Sequence, residues 1–381
     1  MAEQAVSGDE MHAPAALALA GLAALAVAIG IGRFAFTPIL PMMREDAGLS
    51  VGGAGWLASA NYAGYLLGAL WAAVQPARAP VAIRAGLGAI GVATLGMSLD
   101  VGMAGWAALR LVAGIASAWV LIHVSAACLG RLAPLRRPVL EGTVFCGVGV
   151  GIVAAGALCA ALIAVHASSA SAWVHLGLLS LAATLLIWNV FEPSLEAVRT
   201  IRRERRWSVA HARFAFAYGA FGFGYIIPAT FIPVLAKDLI GDPVAFGWAW
   251  PAFGAAAAVS TLAMTFAAQR LSTRTLWVAA QLVMALGVSA PVAWPGSTGI
   301  ALAAVCVGGT FMVITMAGMQ EARRVARSDP ARLMATMTAA FAIGQIIGPV
   351  LVSVIADFPT TLLAASGVLV AGVFALWIPG D

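Results

Sequence analysis

The sequence predicts an all-α membrane protein with twelve transmembrane helices in two pseudo-symmetric six-helix bundles. Three observations lead there. Of 381 residues, 62% are hydrophobic and only 10% are charged, far from the balance of a soluble domain. The apolar residues fall in long runs rich in Ala, Leu and Gly, broken by short polar stretches; a spanning helix needs roughly 20 apolar residues, which leaves room for about a dozen. Strands of a closed barrel are short and alternating, so helices are the spanning element here. The second observation is the placement of arginine, and the third is an internal repeat.

Taken in order, the chain opens with "MAEQAVSGDEMHAP" (1–14), acidic where a cleaved signal would be basic and followed by too long an apolar run. It reads as a cytoplasmic tail. Spans follow at about 15–43, 50–75, 82–99, 103–129, 139–166 and 172–191, and after a break at about 210–236, 244–268, 275–293, 298–320, 333–356 and 360–378. The break, "EPSLEAVRTIRRERRWS", is the longest polar interruption and leaves six spans on each side. The expected organisation is therefore a tail (1–14), a first bundle (15–191), a cytoplasmic linker (192–209) and a second bundle (210–381). Lys and Arg favour the cytoplasmic side of a span. With the N-terminus inside, the inner loops and span ends hold seventeen arginines, from Arg78 and Arg84 to Arg327 and Arg332, and the outer side only Arg44 and Lys237. The formal charge of +5 is thus a topology signal and no sign of nucleic-acid binding. Both termini are expected in the cytoplasm.

A shift of 192 positions aligns "GIGRFAFTPILPMMREDAGLSVGGAGW" (30–56) with "GFGYIIPATFIPVLAKDLIGDPVAFGW" (222–248) without a gap. Gly30 meets Gly222, Pro41 meets Pro233, Asp46 meets Asp238, and Trp56 meets Trp248. Two homologous halves explain such a match. The same shift sets Tyr225 at the position of Arg33.

Local features complete the reading. Asn61, Tyr65 and Gly68 form one stripe on span two. Small residues at 142, 147, 149, 151 and 156 give span five smooth faces for close helix packing; "GVGVG" (147–151) has no strand before it and is no dinucleotide fingerprint. Span ten carries Met312, Met316 and Met319 at helical spacing, suited to a cavity wall or to ordinary packing. The four cysteines lie in apolar runs with no CxxC pair, so neither disulfides nor a metal are expected. No GxSxG, HExxH or nucleotide-binding loop occurs, and the expected protein is neither an enzyme nor an ATP-driven pump, and needs no cofactor.

Two six-helix halves, a basic central loop and a long repeat resemble the major facilitator superfamily over almost the whole chain. "GIGRFAFTPILPMM" followed by "GWLASANYAGYLLGAL" (55–70) is similar to its YbfB/YjiJ-type branch. "RLVAGIASA" (110–118) resembles the fourth-span motif, with Arg110 and Gly114 in the Arg-x-x-x-Gly places. "GQIIGP" (344–349) resembles the Gly-x-x-x-Gly-Pro element of antiporters, here in span eleven instead of span five. In the loop between spans two and three, Gly68 is kept but Ala72 replaces the usual acidic residue, leaving Arg78 and Arg84 without that partner. The resemblance implies a monomeric secondary transporter of the inner (plasma) membrane that works by alternating access, with Gly147, Gly149, Gly151, Gly344, Gly348 and Pro349 serving helix packing and gating.

Of the 21 basic residues, only Arg33 and Arg110 stand inside spans. At mid-membrane an Arg costs about 2.5–3.5 kcal/mol on translocon scales, so each needs water or a partner. None of the sixteen acidic residues lies mid-span; Glu141 comes nearest. In the superfamily fold spans one, four, seven and ten line the central cavity, which would bring both arginines to one space. Guanidinium groups without carboxylates suit an anion, whose planar carboxylate or phosphate matches their fork. The bland alternative is that each Arg caps carbonyls beside the Gly/Pro breaks of span one, or snorkels outward. Asn61, Tyr65, Tyr225 and Gln345 are the candidates to complete the site, with interfacial or interhelical roles as their plain alternatives. His123 reads as a packed histidine. The expected cargo is a small, carboxylate-like organic anion whose own carboxyl group would carry any coupled proton. Efflux of hydrophobic or drug-like compounds is the alternative, and a non-transporting sensor is the alternative of another class.

Overall fold

The computed structural model describes residues 8–74, 79–191, 209–240, 248–326, 330–355 and 357–377, and every regular element among them is a helix. Twelve crossings follow in the order expected. The first is broken: helices Gly8–Leu25 and Phe36–Asp46 flank a π-helical segment, Ala26–Ile31. Spans two to six are Val51–Val74, Ala79–Gly96, Gly102–Leu132, Pro138–Ala164 and Ser169–Leu186. Spans seven to twelve are Val209–Ile240, Ala249–Ala267, Thr273–Ala293, Ser297–Val325, Pro330–Ile355 and Phe358–Trp377. The expected linker lies outside the described residues except for Val209, as do residues 1–7 of the expected tail, Arg78, Arg327 and the chain beyond Trp377. Residues Gly8–Pro14 of that tail already belong to the first helix.

Capping fixes several ends. Ser168 accepts the Ser171 amide at the start of span six, and Asp46 at the end of span one takes both the Ser169 amide (2.5 Å) and its hydroxyl (2.8 Å). A carboxylate at a helix N-terminus satisfies free N–H groups and the helix dipole together. Ser272 caps span nine in the same way.

Among the described residues, ten helices are long and apolar enough to cross a membrane. Spans two and eleven pack against each other across the halves, where shelter from lipid permits Ser59, Asn61, Tyr62, Tyr65 and Gln345 to be buried. Spans five and eight form the other long contact between the halves. A Cβ on Gly149 would stand 2.4 Å from the Ala258 amide nitrogen and 2.6 Å from the Gly254 oxygen, whereas one on Gly147 would stand 2.1 Å from the Leu22 oxygen in span one. Span five therefore uses two glycine faces: 142, 149 and 156 toward span eight, 147 and 151 toward span one. In span eleven, Gly344 lies against the backbone of Gly219 and Phe223, Gly348 against Ile226, and Pro349 lies within the helix.

One hydrogen bond locates the axis between the halves. Thr37 Oγ1 donates to the Ala229 carbonyl at 3.0 Å, and the two residues are 192 apart in sequence, the period of the repeat. Only residues close to a two-fold axis can touch their own repeat mates.

Candidate substrate site

The break in span one builds the site. In the π segment Gly32 N–H bonds the Val27 carbonyl and Phe34 N–H the Ile29 carbonyl, one residue further back than in an α-helix. Pro38, four residues after Phe34, brings no N–H, and Thr37 N–H turns instead to the Phe34 carbonyl. Carbonyls are thereby released in the protein interior, where an unpaired one costs about 1–3 kcal/mol. Neighbouring spans supply the donors. The Ser117 hydroxyl lies 2.6 Å from the Ala28 oxygen. Asn61 Nδ2 donates to Gly32 O at 3.3 Å and to Arg110 O at 2.9 Å. Arg110 Nη1 and Nη2 donate to Gly32 O (3.4 Å) and Arg33 O (3.1 Å), with the guanidinium 4.9 Å from the centre of the Phe36 ring.

Arg110 is thus occupied as a cap of broken-helix carbonyls, the alternative its sequence position allowed. Gly114, one turn on, lets span two approach: a Cβ there would stand 2.0 Å from the Asn61 oxygen. Arg110 is 2% exposed.

Arg33 emerges from the stitched break toward the other half and is 4% exposed. Its Nη2 donates to Gln345 Oε1 in span eleven, and Gln345 Nε2 donates in turn to the Tyr225 hydroxyl in span seven. The guanidinium lies 4.3 Å from the Tyr65 ring centre, 5.1 Å from Tyr62 and 5.7 Å from Phe34, each such contact stabilising a buried cation by about 0.5–2 kcal/mol. Among the described residues no carboxylate pairs with either arginine, and Arg33 Nε, Arg110 Nε and Asn61 Oδ1 are buried without hydrogen-bond partners. Among the described residues the Arg33 charge is met by neutral groups: aromatic rings, the Gln345 amide and the Tyr65 hydroxyl.

Of the six residues expected to bind substrate, Arg33, Tyr65, Gln345 and Tyr225 form one connected cluster, and Arg110 and Asn61 hold it from behind. The expected open hollow is closed in this state. Tyr62 Oη is 3.1 Å from Thr230 Oγ1 and Ser59 Oγ donates to the Ile346 carbonyl at 3.2 Å. Together with the Thr37 and Arg33 bonds, these cross between the halves on the part of the spans nearer the arginine-poor face.

Sequence reasoning missed two contributors to the site and one buried acid outside it. Ser117 follows Arg110 by seven residues, two turns along one face, and Tyr62 precedes Tyr65 by three; both spacings are visible signals. Glu321 was placed just past the end of span ten, but the helix runs on to Val325 and buries it fully. It accepts from the Thr273 hydroxyl (2.5 Å) and from Arg324 (3.1 Å), far from Arg33 on the arginine-rich face. His123, half-buried, has Nδ1 2.8 Å from the Trp119 carbonyl oxygen in its own helix. No three His, Cys, Asp or Glu among the described residues cluster so as to hold a metal ion.

Comparison with known proteins agrees with this fold. A family model described as "Uncharacterised MFS-type transporter YbfB" matches residues 25–378. The crystal structure of a mutant of the nucleoside transporter NupG superposes with a TM-score of 0.72 over 95% of this chain and 98% of its own, at 16% sequence identity. None of the curated proteins matches the sequence.

Proposed function

The chain belongs to the YbfB-type family of major facilitator superfamily transporters, and from that premise we propose that its cargo is a small, carboxylate-like organic anion received by Arg33. It is a secondary transporter in a membrane and no enzyme. The observation that carries the reading is the buried Arg33 guanidinium, placed at the junction of the halves and met, among the described residues, by a neutral amide, a phenol hydroxyl and aromatic rings with no carboxylate. Leaving a charge uncompensated in a low-dielectric interior costs several kcal/mol. A cargo carboxylate supplies the missing charge and two charge-assisted hydrogen bonds at once.

In this reading Gln345 Oε1 occupies the place of a carboxylate oxygen while the site is empty. An arriving anion displaces it, Gln345 releases Tyr225, and the connection from span one to spans seven and eleven is remade through the cargo. Arg110, Asn61 and Ser117 keep the broken helix rigid, so that Arg33 presents its fork in a fixed direction. The glycine faces of spans five and eleven let the halves rock. Taken with the arginine asymmetry, the closed side is the outer one, the protein acts as a monomer with both termini in the cytoplasm, and the membrane is the inner (plasma) membrane. The nucleoside cargo of the structural neighbour is not carried over, since that likeness reaches the fold alone.

A thermal-shift screen of the purified protein over carboxylates, sugars and amines, followed by flux into proteoliposomes, tests the proposal. Stabilisation and uptake confined to carboxylates are expected; hits confined to amines or cationic dyes would favour export of hydrophobic compounds. Absence of flux for every stabilising compound would point to a sensor.

A further inference from the structure

Beside the Arg33 junction, five rings of the second half form a stacked run. From Tyr225 in span seven, Phe311 in span ten lies 5.8 Å away with ring planes 1° apart, and Phe341 in span eleven lies 5.6 Å away at 13°. Phe253 stacks on Phe311 at 5.6 Å and 27°, and Trp250 on Phe253 at 4.7 Å and 17°. Phe34, beside Arg33 in sequence, closes this wall from the other half, 6.0 Å from Trp250 and 6.1 Å from Phe311. All six rings are buried.

Aromatic pairs in protein interiors settle in offset-stacked or edge-to-face arrangements. The run Trp250, Phe253, Phe311, Tyr225 and Phe341 is stacked, Phe221 meets Tyr225 and Phe341 tilted at 33° and 43°, and the ring that meets the run from the first half comes in tilted and edge-on at 58° and 74°. Phe34 therefore covers the wall without extending its stack. When the halves part, Phe34 leaves with the first half, and the rings it covered become the wall of the space that Arg33 faces.

We propose that the cargo is an aromatic carboxylate, a planar ring bearing a carboxyl group, with the ring entering between Phe34 and the stacked wall and the carboxylate on Arg33. This rests on the reading of Arg33 as the anion-binding group and adds the class of the cargo's body. A flat guest replaces the Phe34 contact with face-to-face stacking, whereas a saturated ring of similar size or a short aliphatic acid satisfies the charge and leaves the wall without a stacking partner.

Four probes separate the two claims: benzoate, cyclohexanecarboxylate, acetate and benzamide, each titrated against the full-length protein in detergent with thermal shift and calorimetry as readouts. Benzoate is expected to bind about tenfold or more tighter than cyclohexanecarboxylate, the ratio that one or two stacking contacts provide, and benzamide not to bind. Phe311→Leu should remove that preference; the wild-type ratio decides the matter if this variant does not fold. Equal binding of benzoate and cyclohexanecarboxylate would overturn the aromatic cargo and leave the anion site standing. Benzamide binding as tightly as benzoate would overturn the anion site, and the inference with it.

Discussion

Gly149→Ala should shift the conformational equilibrium of the transporter, and Gly147→Ala, two residues away, should not. Each adds one methyl group. In Gly149→Ala it would stand 2.4 Å from Ala258 N and 2.6 Å from Gly254 O in span eight, where ordinary contact begins at 3.4 Å. Spans five and eight must therefore separate by about 1 Å, and overpacking of this kind costs about 1–3 kcal/mol. The contact crosses between the halves, so the cost falls on the state in which they are closed as seen here, changing its population about 5- to 150-fold. In Gly147→Ala the methyl group meets the Leu22 oxygen at 2.1 Å inside one half, a contact that persists in every state, so the loss appears as a lower Tm. Spin labels at Val165→Cys and Trp294→Cys, both exposed positions, report the separation across the arginine-poor face once the native cysteines are replaced. A longer distance in Gly149→Ala and an unchanged distribution in Gly147→Ala are expected. Identical distributions in both variants would refute the assignment of Gly149 to the moving contact.

Other consequences are as direct. Ser117→Ala leaves the Ala28 carbonyl without its partner from span four and should cost about 1–3 kcal/mol, read as a fall in Tm with cargo affinity nearly intact. Tyr62→Phe removes the hydroxyl that meets Thr230 across the halves; a net hydrogen bond of about 1 kcal/mol predicts a roughly fivefold loss of the closed state in the same spin-label measurement. Glu321→Ala strips a fully buried carboxylate from Thr273 and Arg324 and should destabilise the second half by about 1–3 kcal/mol, seen in thermal unfolding, while leaving carboxylate affinity at Arg33 unchanged. If the cargo's carboxyl carries a coupled proton, uptake into weakly buffered vesicles raises the external pH in step with flux; flux without a pH change removes the coupling.

The twelve crossings and the two halves were legible because they follow from solvent: a lipid interior imposes length and apolar composition on each helix, and arginine marks the side. The repeat was legible for a different reason, since Pro, Asp and Trp align where composition alone could not place them. Arg33 stood out as a charge where charge is costly. What it touches was hidden, because Gln345 lies 312 residues away and an amide reads equally as ligand or as interhelical glue. Arg110 shows the same ambiguity. Its sequence position admitted a cavity ligand or a carbonyl cap, and the π-helical register of span one, which releases the Gly32 and Arg33 carbonyls to its guanidinium, could not be read from composition. The stacked rings of Tyr225, Phe311 and Phe253 come from three spans, a relation that periodicity along one helix cannot express.

The most direct test of the central claim is the affinity of benzoate for the wild type, Arg33→Lys and Arg33→Gln in proteoliposomes, at matched thermal stability. A hydrogen bond to a charged group contributes about 1.5–3 kcal/mol, so Arg33→Gln should weaken binding about 10- to 150-fold. Arg33→Lys, which keeps the charge and loses the fork, should fall between. Equal affinity in all three would contradict the claim that this guanidinium receives the cargo's negative charge.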